Sequence, residues 1–474
     1  MIHIDRFYAR GVWHRCTGDV RHQLVSPVTE EITGEVRFGS DDDLARAVAS
    51  AREGLTRWST SELHERRAAL DRLEIAIRAR SDAFVDALRD DIGCPPSSGR
   101  LVQSMLPLAN VRAIREGIDA IDWEFAIHHS EVRRVPIGVV AGLTPWNAPL
   151  HQMLAKVAGV IGAGAAIVLK PSEIAPRSAM LFAEAIEEID LPRGVFNLIW
   201  GGADLGRKLV EHPGIDMVSF TGSEGVGRQV MAAAASAPKP VALELGGKSA
   251  AIVLRDADLS AAVTAAFRLT LLNSGQVCVC QSRLLVPRER VDDAVSIIKD
   301  AAAAVRMGDP LDPDTTMGPL ATRAQYERVS AIAERAQAQG AHAILHSTAS
   351  SVNRKGYFFP PKAFSNVDSE SELAQREVFG PVLAMIGYDT EDDAITIANS
   401  TPFGLSGAVW SADLSVAMRV ARRLRTGQVI VNGAPSNLAG PFGGFGRSGF
   451  GRENGRFSIE AFTQLQAINK PEQG

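Results

Sequence analysis

The chain has 474 residues, more than one hydrophobic core supports, so two or three domains are expected. Its composition, 46% hydrophobic and 22% charged, is that of a globular protein and excludes disordered and fibrous classes. A formal net charge of -5, with both signs mixed along the chain, supplies no basic face for nucleic acid and no polybasic membrane anchor, which leaves a small molecule as the expected partner.

The N-terminal stretch has no apolar core of signal-peptide length, and no run reaches the roughly 18 apolar residues of a membrane span. The longest candidate, 157–169, is short and rich in Gly and Ala. Cys16, Cys94, Cys278 and Cys280 make no disulfide framework and fit a reducing, cytoplasmic location. The Cys278-x-Cys280 pair has no His or Cys at ligand spacing, so no metal is expected.

Residues 20–38 read as short strands and turns, with Pro27 at a turn. An amphipathic helix follows: Asp42 or Asp43 is placed to cap it, and Leu44, Ala47, Val48, Ala51 and Leu55 share one face. Residues 61–92 continue as one or two charged helices, stopped by Gly93-Cys-Pro-Pro96. Alternation in Trp123-Glu-Phe-Ala-Ile127 and Glu131-Val-Arg-Arg-Val135 is consistent with a two-stranded arm, which needs a partner surface.

From Val139 apolar runs alternate with helical patterns. Strands are read at 139–143, 166–170, 195–200, 216–220 and 241–245, with helices starting near Pro149, Arg177, Ala203 and Ser223. Continuous apolar strands between helices mean a parallel sheet covered on both faces, with ligands at the carboxyl ends of the strands. A second α/β set follows Gly247, with strands at 250–254, 284–287, 382–388, 408–410 and 428–432. Its helices are read at 259–272, 290–305, 323–339, 392–399 and 415–424. The tail after Phe442 is Gly-rich and then amphipathic, and 457–468 is read as an edge strand.

Polar residues gather beyond the strands of the first sheet, in Leu143-Thr-Pro-Trp-Asn147, Lys170-Pro-Ser-Glu173, Phe220-Thr-Gly-Ser223 and Glu244-Leu-Gly-Gly-Lys248. Ser223 to Gly227 opens a helix straight after a strand, so its free N–H groups and helix dipole suit a pyrophosphate, although Gly222, Gly225 and Gly227 lack the G-x-G-x-x-G spacing. Lys170 and Glu173 either form a solvated ion pair or stand at a ribose, where Glu173 would repel a 2'-phosphate. Glu244, between Leu243 and Leu245, is either a buried structural carboxylate or a general base whose pKa desolvation raises. Cys278 is either a small buried hydrophobe or a nucleophile.

Together with Gly275-Gln-Val-Cys278, Glu377-Val-Phe-Gly-Pro381 and Pro441-Phe-Gly-Gly444, these motifs strongly resemble the aldehyde dehydrogenase superfamily, in its order and spacing over nearly the whole chain. The resemblance implies two Rossmann-like parallel-sheet α/β domains and a small β oligomerisation arm. Residues 1–122 and 138–246 would form the cofactor-binding domain, 247–440 the catalytic domain, and 123–137 with 455–474 the arm of a homodimer or homotetramer. It implies oxidation of an aldehyde to the carboxylic acid with NAD, NADP being possible. Cys278 is then the nucleophile, Glu244 the general base, and Asn147 an oxyanion donor with the backbone N–H of Cys278. Lys170 and Glu173 would hold the adenosine ribose, Ser223 a phosphate, and Glu377 the nicotinamide ribose with Phe379 packed near it; Thr144, Trp146, Ser172, Gly222, Gly227 and Leu245 complete the cofactor set. Lys156 and Glu453 match a proposed proton path, or serve packing.

Relatives acting on small aldehydes often carry aromatic residues right after the Asn and right before the Lys, where this chain has Ala148 and Ala155. With apolar Val277 and Val279 beside the nucleophile, Phe442 at an aromatic tunnel position and no Arg placed for a carboxylate tail, a bulky, uncharged, apolar or aromatic aldehyde is expected. His151 either hydrogen-bonds a substrate or packs structurally, and Cys280 is structural or part of the pocket wall. CoA-acylating relatives generally lack a carboxylate matching Glu244, so its presence argues for hydrolysis. The alternative from another class is a binding or structural protein on the same fold.

Overall fold

A computed structural model describes residues 1–345 and 355–471. Its centre is an eight-stranded sheet in the order Gly449–Phe450, Val241–Leu245, Met217–Gly222, Val139–Thr144, Ala166–Pro171, Phe196–Leu198, Arg6–Ala9, Val12–Arg15. The five strands from Val241–Leu245 to Phe196–Leu198 are parallel, and the three outer ones are antiparallel to their neighbours. Strand order reverses direction at Val139–Thr144: later strands add first on one side and then, from Met217–Gly222, on the other. Such a switch point opens a crevice beyond the carboxyl ends of the strands. The sheet's core includes fully buried Val140, Ile167, Val168, Leu169 and Val218, as expected where helices cover both faces.

The second sheet has seven strands, ordered His342–Ala343, Lys362–Ser365, Val382–Tyr388, Arg283–Pro287, Ala250–Val253, Ser406–Trp410, Gln428–Val431, all parallel except the first pair. A third small sheet joins Ile2–Ile4, Ile32–Arg37 and Arg21–Val25. A fourth pairs Ser130–Pro136 with both Glu124–Ile127 and Thr463–Asn469. The α/β class, with two parallel sheets and a β arm, is as expected.

Several local expectations are corrected. The helix Asp41–Trp58 is capped by Ser40, whose hydroxyl accepts from the Asp43 N–H at 3.2 Å while the Asp43 carboxylate accepts from the Ser40 N–H at 3.0 Å. This is a reciprocal capping box, so Asp43 supports the cap from inside the helix. Residues 61–92 form two helices, Leu63–Ala79 and Ser81–Ile92. The region read as one strand from 457 splits into a helix, Gly455–Glu460, and the strand Thr463–Asn469. The helix forms because Ser458 and Ile459 pack inward, with the Ser458 hydroxyl accepting from the Asn454 N–H at 2.7 Å. Among the described residues no helix is long and apolar enough to cross a membrane, and no cluster of His, Cys, Asp or Glu could hold a metal.

Candidate active site

The crevice at the switch point is the mouth of a cavity of about 680 Å³. Four segments meet there. The strand Val139–Thr144 delivers Thr144, Trp146 and Asn147 just before the helix Pro149–Ala163, whose Pro occupies a first-turn position where no N–H is needed. The strand Met217–Gly222 delivers Thr221, Gly222 and Ser223, with Ser223 capping the helix Glu224–Ala234. Val241–Leu245 delivers Glu244 opposite Thr221. From the second sheet's side come Cys278, Glu377 and Phe379.

Cys278 follows the helix Leu259–Leu271 through an unusual turn, in which Asn273, Ser274 and Gly275 all have left-handed φ values of 49°, 55° and 75°. Gly275 is required twice over, by its φ and because a β-carbon there would stand 2.2 Å from the Gly380 carbonyl carbon. The two non-glycine residues are held in place by buried hydrogen bonds. Asn273 Nδ2 donates to the Asn147 carbonyl at 2.9 Å, and Ser274 Oγ donates to the Gly318 carbonyl at 2.8 Å. Gln276, fully buried, donates to the Asn273 carbonyl at 3.0 Å and accepts from the Ala321 N–H at 2.9 Å. The sequence reading missed Asn273 and Gln276 as scaffold of the site. Their signal was the pair of side-chain amides flanking Ser-Gly just before the cysteine.

The side-chain amide of Asn147 donates to the Gln276 carbonyl at 2.9 Å, which orients it and leaves its second N–H uncommitted. Burial, followed by the carboxylates of Glu377 and Glu244, pushes the Cys278 thiol up to about 12. Glu244 is also held well above the ordinary carboxylate range, chiefly by burial and then by Glu453, with Lys156 and Arg452 opposing. Its Oε2 has no hydrogen-bond partner among the described residues. Behind it, Lys156 is fully buried and donates to Glu453 Oε1 at 2.8 Å and to Ser219 Oγ at 2.9 Å. Burial raises Glu377 to about 7, although it accepts from the Gly247 N–H at 3.2 Å. A β-carbon at Gly246 would stand 2.1 Å from its Oε2, so glycine permits this approach.

At the far end of the cavity Lys170 is buried, donates to the Gly201 carbonyl at 2.7 Å and the Pro171 carbonyl at 3.1 Å, and lies 3.6 Å from Glu173. Burial lowers its pKa, with Glu173 opposing. It is therefore no solvated surface ion pair. Trp146 and Phe379 meet edge to face, with centroids 5.7 Å apart at 84°. Buried hydroxyls of Thr144 and Thr221 lack partners among the described residues.

The cavity wall thus holds Asn147, Glu244 and Cys278 together with Thr144, Trp146, Lys170, Ser172, Glu173, Gly222, Ser223, Leu245, Glu377, Phe379 and Phe442. It does not include Gly227, which lies behind Leu245, nor Lys156 and Glu453. Ala148 packs on the cluster of Leu88, Ile92 and Val102, and Ala155 is buried. His151, Val277 and Val279 flank the wall without forming it. Gln152, Gln325 and Arg328 line the cavity and were not singled out from sequence. Arg328 donates to the Glu377 carbonyl at 2.6 Å, and Gln325 to the Phe379 carbonyl at 2.5 Å. Cys280 is buried, with its Sγ 4.0 Å from the Leu269 carbonyl.

A family model described as "Aldehyde dehydrogenase family" matches residues 13–468. The chain is 40% identical over 470 residues to a 3-succinoylsemialdehyde-pyridine dehydrogenase of a Pseudomonas species, covering 98% of each protein. It superposes with a TM-score of 0.97 and 39% identity on a cysteine-to-alanine mutant of aldehyde dehydrogenase C from Pseudomonas syringae complexed with NAD+ and octanal, covering 99% of this chain and 98% of that one. A Mycobacterium tuberculosis aldehyde dehydrogenase complexed with NAD+ gives a TM-score of 0.95 at 36% identity, with 99% and 98% coverage.

Proposed function

This chain belongs to the aldehyde dehydrogenase family, and from that premise we propose that it oxidises a bulky, uncharged, apolar or aromatic aldehyde to the carboxylic acid with NAD+, water releasing the product. The observation that carries this reading is the convergence of Cys278, Glu244 and Asn147 on one cavity.

The residues present fit the cofactor. A dinucleotide needs ribose acceptors and an anion site, and the cavity offers the carboxylates of Glu173 and Glu377, the start of the helix Glu224–Ala234 at Ser223, and unpartnered hydroxyls on Thr144 and Thr221. Lys170 and Glu173 would hold the adenosine ribose, Ser223 a phosphate and Glu377 the nicotinamide ribose. NAD+, when bound, supplies a hydride acceptor.

The Cys278 S–H proton passes to water in the cavity as the sulfur adds to the aldehyde carbon, and a proton returns by the same route when the thiol is restored. The free N–H of Asn147 and the backbone N–H of Cys278 stabilise the oxyanion that forms. Loss of hydride leaves a thioester on Cys278. Glu244 then takes a proton from water as it attacks the thioester carbonyl, and the acid departs as the thiol is restored. Burial, by raising the pKa of Glu244, makes its ionised form a stronger base for that proton. The buried pair Lys156 and Glu453 would carry the proton onward from Glu244.

For the substrate, the Pseudomonas syringae relative solved with octanal and the Pseudomonas relative named for a pyridine-bearing semialdehyde both favour large, uncharged aldehydes. The domain division proposed is 1–122 with 138–246 for the cofactor, 247–440 for catalysis, and 123–137 with 455–474 for assembly into a homodimer or homotetramer. Exposed Phe125, Ile127, Leu465 and Ile468 on the arm support the last part, and four free cysteines support a cytoplasmic setting. The test is kcat/KM for octanal, benzaldehyde, acetaldehyde and succinic semialdehyde with NAD and NADP in parallel. Higher values for the first two, with NAD and without coenzyme A, are expected. Equal or better turnover of the small aldehydes overturns the substrate, and strict coenzyme A dependence overturns hydrolysis.

A further inference from the structure

Among the polar side chains of the cavity wall that neither the cofactor nor the chemistry uses, Gln152 has a buried amide oxygen left without a partner. Gln152 stands in the second turn of the helix that begins at Pro149, five residues after Asn147. Its side chain lines the cavity shared with Cys278, Glu244 and Phe442, yet the residue is only 7% exposed. Its Oε1 is buried with no hydrogen-bond partner, and its Nε2 makes no hydrogen bond to any described residue. The two ends differ in access, since only the oxygen is closed off, and turning the amide over would present Oε1 at the open end in place of Nε2. A buried amide oxygen without a partner is costly, and a methionine of the same length would fill the space without that cost. Its neighbour His151 flanks the wall: burial lowers its pKa, with Glu453 opposing, and its Nδ1 is buried without a partner.

We infer that Gln152 is a specificity-determining residue that reads a hydroxyl group on the body of the aldehyde, away from the reacting carbon. This deepens the proposed function and rests on it. A hydroxyl is the smallest neutral group that donates to Oε1 and still offers lone pairs to Nε2. A charged substituent is disfavoured, since the Gln152 amide brings no compensating charge to a site this buried. A methyl group of the same size leaves the amide unpaired in the complex. Sites built to bond a substrate hydroxyl reject the analogue lacking it far more strongly than apolar pockets distinguish two apolar groups.

The experiment measures kcat/KM with NAD for isosteric pairs, 3-hydroxy- against 3-methylbenzaldehyde and 4-hydroxy- against 4-methylbenzaldehyde, in wild type, Gln152→Met and His151→Phe. Each preference is a ratio within one enzyme, so partial loss of folded protein cancels. Wild type is expected to prefer the hydroxyl member of at least one pair by about 10-fold or more. That ratio should fall to near unity in Gln152→Met. Ratios near unity in wild type overturn the inference while leaving the function standing. A wild-type preference that survives in Gln152→Met, or that disappears only in His151→Phe, overturns the assignment to Gln152. NADH formation from octanal but from none of the four benzaldehydes overturns the inference alone, and none from octanal either overturns the proposed function itself.

Discussion

Lys156 and Glu453 are 297 residues apart in sequence and meet at 2.8 Å in the interior, the lysine fully buried and the glutamate nearly so. Both act electrostatically on Glu244, Glu453 raising its pKa and Lys156 lowering it. Lys156→Met leaves Glu453 buried without its cation, a change that costs about 3 to 5 kcal/mol for buried pairs. It also removes the positive charge that favours ionised Glu244. The expected result is a lower Tm and a kcat profile whose rise with pH moves to higher pH. A lower Tm with an unmoved profile would limit the pair to a packing role.

With Glu244 as the proposed general base, Glu244→Gln is expected to separate the two halves of the reaction. Oxidation proceeds once and hydrolysis stalls, so stopped-flow absorbance should show a burst of about one NADH per active site and a steady rate reduced by roughly 100-fold or more. Stability moves the other way. A carboxyl whose pKa is higher folded than unfolded keeps its full stability contribution below the unfolded value near 4.5 and loses it as pH rises above that. Glu244→Gln should therefore melt above wild type at pH 8, with the difference shrinking towards pH 4.5.

Because burial holds the Cys278 thiol up to about 12, only a small fraction is thiolate at neutral pH in the free enzyme. Alkylation by iodoacetamide, followed by mass spectrometry, should rise about 10-fold per pH unit between pH 7 and 9. It should fall first on Cys278, since Cys16, Cys94 and Cys280 are buried. Labelling that is fast and flat across this range would mean that the resting enzyme already holds a thiolate.

Glu173 stands 3.6 Å from Lys170 at the end of the cavity assigned to the adenosine ribose. Removing its charge while keeping its shape removes the repulsion of a 2'-phosphate. Glu173→Gln should lower the ratio of kcat/KM with NAD to that with NADP by about 10-fold. An unchanged ratio would place the selectivity elsewhere.

Much of the architecture was legible because both sheets are parallel and buried, so their strands are continuous apolar runs between helices. The strands Val241–Leu245 and Val382–Tyr388 begin and end where the sequence places them. Elements at the sheet margins were not legible. The hairpin of Arg6–Ala9 and Val12–Arg15, the four-residue strand Lys362–Ser365 and the two-residue strand Gly449–Phe450 lack a run long enough to show a period. They are strands because a neighbouring strand offers unpaired backbone groups. In the site, motifs revealed residues whose chemistry is conspicuous in sequence, such as Glu244 among leucines. Asn273 and Gln276 gave only the weak signal of two amides flanking Ser-Gly, because their partners Asn147 and Ala321 are brought to them by tertiary structure. Gln152 was silent because an amide in a helix announces nothing until its lack of partners is seen.

The contact of Gly275 with Gly380 has a mechanical consequence. With no side chain between them, the turn leading to Cys278 and the segment following Glu377 and Phe379 touch backbone to backbone. Ser274 and Gln276 pin the same turn to Gly318 and Ala321. Neither loop has slack to move alone. A displacement of Cys278 is therefore expected to carry Glu377 and Phe379 with it, so the groups proposed to hold the aldehyde and the nicotinamide share one mount.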